Sequence, residues 1–256
     1  MDKATVIGLV VAVAAILGGQ ALEGGHASSL VQLAAAVIVF GGTLGATMVA
    51  FPGEDLQRSL KMGKQALTQK KSDHKALVAQ LLEFAAVARR DGVLALEGKL
   101  GELKDPFMRR AMGFVVDGVD SQVARSALEI EIDVEAEEST VAAKVFEAAG
   151  GYAPTIGIIG AVLGLIHVMG NLDDPSKLGP GIAVAFVATV YGVGISNVVL
   201  IPMGTKIKRK INVERERKTM ILEGVLAIQD GLNPRILEEK LKSFTPGHAP
   251  TPAEKK

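Results

Sequence analysis

Cysteine and tryptophan are absent from this 256-residue chain, and it contains only two tyrosines and four histidines. Without cysteine there can be no disulfide framework, thiolate metal site or thiol nucleophile. The histidines, His26, His74, His167 and His248, are scattered, with none of the short spacings by which imidazoles share a metal. An excess of one charge is missing too. The 28 basic and 28 acidic residues cancel, so no net basic field points to nucleic acid as a partner. Zinc knuckles, Gly-Lys-Ser/Thr loops and dinucleotide-binding glycine fingerprints are also lacking. No stretch sets a nucleophile beside a base, so the chain does not read as an enzyme and no cofactor is expected.

What the chain does have is apolar residues in blocks. The first block runs from Ala4 to Gly19 or Leu22, and the second from Ser28 to Phe51. The third covers Ala153 to Met169 and the fourth Ile182 to Ile201. Each is about as long as a membrane crossing requires. The first is read as a retained helix rather than a cleaved signal peptide, because its n-region is weakly basic and another apolar run follows at once. The connector LEGGHA is so short that the first two helices must form an antiparallel hairpin.

Lysine and arginine crowd the segment after Pro52, for example Arg58, Lys61, Lys64, Arg89 and Arg90, and the segment after Thr205, from Lys206 to Lys218. The two connectors near Glu23 and Asp173 hold a single Lys177. Positive charge next to spans stays in the cytoplasm, which places both polar regions and both termini inside. Apolar residues in the long polar region recur at helical spacing, as in Leu77, Leu81, Phe84 and Ala88, and no Asn-Gly or Asp-Gly hairpin signal interrupts them. The fold class is therefore all-α: an integral membrane protein with four transmembrane helices and a helical cytoplasmic domain between helices 2 and 3. The expected division is residues 1–52, 53–150, 151–203 and 204–256. The acidic stretch from Glu129 to Glu138 reads as a solvated helix face. After Asn233-Pro234 a short helix runs to about Phe244, and the Pro/Lys-rich end reads as disordered.

None of the four runs contains Asp, Glu, Lys or Arg. His167 lies two residues from the outer end of the third run and reads as an interfacial histidine. If the protein moves ions, the carboxylate that carries them belongs to another chain. The runs do offer small residues at Gly157, Gly160 and Gly164, and hydrogen-bonding groups at Thr155, Thr189, Ser196 and Asn197. That set serves helix packing as readily as it serves an ion path. Pro154 stands where the first turn of a helix tolerates proline, and Pro202 where a helix ends or kinks.

The order of these parts, together with GYAPTIGIIGAVLGLI, ATVYGVGISNVVLIPMGTK and MILEGVLAIQDGLNPRILEEKL, resembles the MotA family of flagellar stator subunits within the MotA/TolQ/ExbB proton-channel group. The resemblance covers all but the last dozen or so residues. It implies a pentamer around a MotB-like, single-span, peptidoglycan-anchored partner whose membrane aspartate binds the ion. It also implies torque on the rotor's switch-complex protein in the C-ring. The pattern RRDGVLALE aligns the family's rotor contacts with Arg89 and Glu97, and Arg90 stands beside Arg89 as the other basic choice. The family's coupling prolines fall on Pro154 and Pro202, and its fourth-helix threonine on Thr189. A position that tends to be hydroxylated in sodium-driven relatives is Ala161, which favours H+ over Na+, with Thr155, Thr189 and Tyr191 left as candidate oxygens. The implied location is the bacterial inner membrane. An ExbB/TolQ-like energiser of outer-membrane processes and a non-conducting membrane scaffold are the competing readings; four spans rather than three weigh against the first.

Overall fold

The computed structural model describes residues 2–68, 74–173 and 175–244. The C-terminal segment 245–256, read above as disordered, lies outside the described residues. Among the described residues every regular element is helical. Helix α1 (Lys3–Leu22) is capped by Asp2, whose side chain accepts from the Ala4 amide at 3.1 Å. Helix α2 (Leu33–Ala50) contains a π turn at Val37–Gly41. Helix α3 (Gly53–Ala66) carries Glu54 and Asp55 in its first turn and Lys64 in its last, matching the helix dipole at both ends.

Helix α4 (His74–Asp91) stops where Gly92 takes a φ of 84°. A 3₁₀ turn (Val93–Leu96) leads into the short α5 (Glu97–Leu100), and α6 (Pro106–Val116) starts at an Asp105 cap. Helix α7 spans Ser121–Met169 and α8 spans Pro175–Ile195. A π turn (Ser196–Leu200) joins α8 to α9 (Ile201–Gln229), and α10 (Pro234–Lys242) begins at an Asn233 cap.

Among the described residues four helices are long and apolar enough to cross a membrane, as expected: Lys3–Leu22, Leu33–Ala50, Ser121–Met169 and Leu178–Gln229. Two sequence boundaries need correction. The third apolar run does not begin a helix near Ala153; it is the C-terminal part of α7, because polar helical periodicity runs into it without a breaker. The apolar spacing from Met108 to Val134 suggests helix throughout, but the segment is cut at Gly118, whose φ of 68° no helix interior accommodates. Asp120 then caps α7 by accepting from the amides of Gln122 and Val123 at 2.9 and 3.3 Å.

The chain divides into two compact units, residues 2–68 with 138–210 and residues 74–137 with 211–244. In the first, α1 buries none of its residues, and the buried apolar cluster is small: Ala35, Val39, Val187 and Ala188. Large apolar side chains such as Ile158, Ile159, Val162 and Ile166 stay exposed on α7, as suits helices whose solvent is hydrocarbon. The start of α1 is tied down at two points. The Asp2 amide donates to the Leu67 carbonyl at 2.7 Å, and its carboxylate pairs with Lys206.

The second unit has a core of the kind a soluble helical protein builds. Leu81, Leu96, Met108, Met112, Leu128, Ile221, Leu237 and Leu241 are all buried, each worth about 1.5–3 kcal/mol on transfer from water. The acidic residues read as a solvated face are mostly exposed, and several of them are also paired. Glu131 meets Arg110 at 2.8 Å, Asp133 meets Arg215 at 2.7 Å, and Glu135 holds the buried Lys218. Lys218 also stands 5.1 Å from the Phe107 ring centre.

Asp105 spends its two oxygens separately. One accepts from the Phe107 and Met108 amides, and the other meets Arg217, which also holds Glu214 at 2.6 Å. Burial raises the Asp105 pKa, but the guanidinium and amides outweigh it and leave the carboxyl below its ordinary 3.8. The Arg217 partnership therefore stabilises the folded state above the ordinary carboxylate range and is lost as pH falls through the depressed value. Asp105→Asn, which keeps the cap but loses the charge, is expected to destabilise the protein by about 1 kcal/mol at neutral pH. Thermal melts should show the difference from the parent chain shrinking below pH 3.8.

Candidate functional site

Helices α7 and α8 cross so closely that glycine is required at the contact. A Cβ on Gly157 would lie 2.8 Å from the Ala188 carbonyl oxygen, and one on Gly164 would lie 2.8 Å from the Ala185 nitrogen. From the other side, a Cβ on Gly192 would stand 2.5 Å from the Ala153 carbonyl oxygen and 3.1 Å from the Gly157 Cα. These are backbone atoms, which have nowhere to go. In hydrocarbon, where apolar side chains gain nothing by leaving lipid, such small-residue contacts are what hold helices together.

Pro154 lies inside α7 next to this crossing, not in a first turn as its position in the sequence suggested. Lacking an N–H, it leaves the carbonyl of Gly150, one turn earlier, without a donor from its own helix. The Ser196 hydroxyl on the facing chain segment donates to that oxygen at 2.6 Å and is itself buried. Proline inside the helix is tolerable because a neighbour supplies the missing bond. Pro202 follows the π turn that Ser196 opens, where helical geometry has already loosened, so the helix continues through it.

Thr189 sits at the crossing, its Cα 3.5 Å from where a Gly157 Cβ would be. Its hydroxyl donates back to the Ala185 carbonyl at 3.4 Å, as Thr155 does to Tyr152 at 2.8 Å. Ala161 is half-buried one turn beyond Gly157 on the same side of α7. Thr155 is exposed, about 200° around the helix from Gly157, and is not brought to the crossing. Tyr191, named as a candidate oxygen, is committed elsewhere. Its hydroxyl donates to the Leu30 carbonyl and accepts from the Gln32 amide at 3.3 Å, fixing the entry to α2, and its ring stacks on Phe40 at 5.7 Å.

In the other unit, Arg89 lies in the last turn of α4 and Glu97 opens α5, with Gly92 breaking the helix between them. Both are exposed, and no hydrogen bond or ion pair engages either side chain among the described residues. Their neighbours are engaged. Arg90 chelates the Asp91 carboxylate, at 2.7 Å for the closest pair, and Lys99 meets Glu83 at 2.6 Å with its ammonium 5.9 Å from the Phe84 ring centre. The hydrogen bonds and charge of Asp91 hold the Arg90 pKa above its ordinary value.

A family model described as the MotA/TolQ/ExbB proton channel family matches residues 100–220, and one described as motility protein A N-terminal matches residues 6–92. "Motility protein A" of Helicobacter pylori is 38% identical over 95% of each chain. Among solved structures, C. jejuni MotAB matches with a TM-score of 0.92 and 33% identity over 98% of each chain. The flagellar MotAB stator complex from Bacillus subtilis matches with a TM-score of 0.89 and 32% identity, covering 96% of this chain and 97% of that one. The chain belongs to the MotA/TolQ/ExbB proton channel family. Within that family its relatives make it an ion-conducting subunit of the flagellar stator.

For this family member the structure adds Ser196, which the sequence offered only as one hydrogen-bonding side chain among several. The signal that would have singled it out is a proline deep in a helix, which always leaves a carbonyl to be paired. That signal was hidden by reading Pro154 as a first-turn residue. The crossing also yields a direct test. Gly192→Ala should destabilise the protein by about 1–3 kcal/mol, whereas Gly194→Ala, with nothing within 4 Å of its added Cβ, should melt like the parent in detergent.

Proposed function

We propose that this chain forms the outer ring of a two-component ion channel and converts ion flow into torque. The observation that carries the reading is a mismatch inside the membrane. The four apolar runs contain a close, hydroxyl-bearing, proline-interrupted crossing but no Asp, Glu, Lys or Arg. Uncompensated charge is expensive in lipid, and carboxylates there mark ion carriers. A wall built for an ion path with no carrier calls for one from a partner, a MotB-like single-span subunit anchored to peptidoglycan. The relatives solved as MotAB complexes support that assignment. Several copies of the chain, five by family resemblance, surround the partner in the bacterial inner membrane, with both termini in the cytoplasm as the distribution of Lys and Arg requires. The role is mechanical and conductive, not enzymatic.

The transported ion in this reading is H+. Holding a bare Na+ takes several oxygens at once. Here Ala161 offers none, Tyr191 is spent on the backbone at Leu30 and Gln32, and Thr155 points away from the crossing. Thr189 remains as a single hydroxyl beside the path. A proton needs only the partner's carboxylate and water.

The rotor contact in this reading is Arg89 with Glu97. Both side chains are exposed and uncommitted, whereas Arg90 is neutralised locally by Asp91. Charges left free at a surface are those available to steer and grip a charged partner. That partner is the switch-complex protein of the C-ring.

Two experiments test these points. Proteoliposomes holding this chain with its MotB-like partner should take up protons, and those holding the chain alone should not; conduction by the chain alone would overturn the two-component channel. Cells relying on it should swim in sodium-free medium and stop on addition of a protonophore. Separately, Arg89→Glu and Glu97→Lys should each slow swimming severalfold at unchanged membrane levels, with Arg90→Glu close to the parent. Parental speed in both of the first two variants would remove these residues from the rotor contact.

A further inference from the structure

Ser196 binds one residue of α7 to both ends of the π turn between α8 and α9. Its hydroxyl donates to the Gly150 carbonyl at 2.6 Å, the oxygen that Pro154 cannot serve. Its own carbonyl accepts the Ile201 amide, closing the π turn. Ile201 then lies against the same Gly150, since a Cβ there would be 2.7 Å from Ile201 Cγ1 and 3.5 Å from the Ile201 nitrogen. Pro202 comes next in the chain. The two prolines are thus joined through a single glycine, held from one end of the turn by a hydrogen bond and from the other by packing. Ser196 is 1% exposed, so its hydroxyl is enclosed by the protein at this contact.

We propose that Ser196 is a positioning residue for the ion-driven movement, a clasp that makes a bend at Pro154 and a bend at Pro202 one event. A serine hydroxyl suits the task because it has a second place to go. Hydroxyls in helices readily donate to the carbonyl four residues back, as Thr189 does to Ala185 and Thr205 to Ile201 in these same helices. Ser196 therefore has two satisfied states, bonded across to α7 or folded back onto α8. Leaving the first exposes the Gly150 carbonyl and frees α7 to flex about Pro154. The hydroxyl stays bonded in both states, so they differ by the donor that the Gly150 carbonyl loses in the second, and that is the cost an ion binding nearby has to supply. The proposal rests on the stator reading above.

The test uses the full chain with its partner subunit. Ser196→Ala should lower the melting temperature of the purified complex when residue 154 is proline. In a Pro154→Ala background it should have little further effect, because the restored amide at 154 pairs Gly150 from within α7. Equal losses in both backgrounds would overturn the clasp. In cells and proteoliposomes, Ser196→Ala should lower swimming speed per unit of ion flux by roughly fivefold, the weight of one hydrogen bond. Ser196→Thr, which keeps the hydroxyl, should recover most of it. Speed and flux falling in proportion, or parental speed in the alanine variant, would refute the coupling role. Should the alanine variant fail to reach the membrane, Ser196→Cys, with its weaker donor, carries the same comparison. A parental complex that passes no ion would instead sink the stator reading itself, which separates the two failures.

Discussion

A backbone carbonyl in hydrocarbon must find a donor in the protein, because no water waits to take the place of a missing one. At Pro154 this requirement cannot be met within the helix, and much of the membrane half is arranged around that fact. The hydroxyl that answers it comes from another helix and demands close approach. Close approach in turn demands the glycines at 157, 164 and 192, whose absent side chains let backbone meet backbone. Small residues, prolines and hydroxyls are consequences of one another here. Each is unremarkable alone, and together they make a joint that is fully satisfied and yet has an alternative.

The two units are stabilised by different physics. In the unit of residues 74–137 and 211–244, apolar burial from water dominates, and α10 is held by burying Leu237 and Leu241 in the core. Charges are then distributed by local bookkeeping: Glu223 meets Arg125 at 2.6 Å and Lys240 at 2.5 Å, joining three helices through one carboxylate. The Arg125 guanidinium and then Lys240 draw the Glu223 pKa below its ordinary value despite burial. Among the charges that this matching leaves without an ion pair, Arg89 and Glu97 stand out because their neighbours Arg90 and Lys99 are engaged. In the membrane unit such pairs are fewer and lie outside the apolar runs, and interhelical fit carries the load.

The sequence disclosed the parts of this architecture that depend on local composition. Charge-free runs of spanning length, the capping residues Asp105 and Asn233, and the helix break at Gly92 can all be read from a few neighbouring residues. Tertiary relations were harder to see. The merger of the third run into α7 is invisible because amphipathic and wholly apolar stretches share a helical repeat, and nothing between Ser121 and Pro154 breaks it. The importance of Ser196 depends on a carbonyl 46 positions away, and no pattern in either segment announces the pair. Tyr191, conversely, advertised a free hydroxyl that the fold had already assigned to the turn before α2.

The anchoring of the first helix by Lys206 bears on how the protein is made. Asp2 precedes the first apolar run in the chain, but its ionic partner lies beyond the fourth. Throughout synthesis of the intervening chain the amino end of α1 must wait at the bilayer surface with its carboxylate unmatched. Closure comes only when the last span has been inserted in the right direction. The pair thus acts as a check on completed topology: a chain whose fourth span went in backwards would strand Lys206 on the far side of the membrane from Asp2.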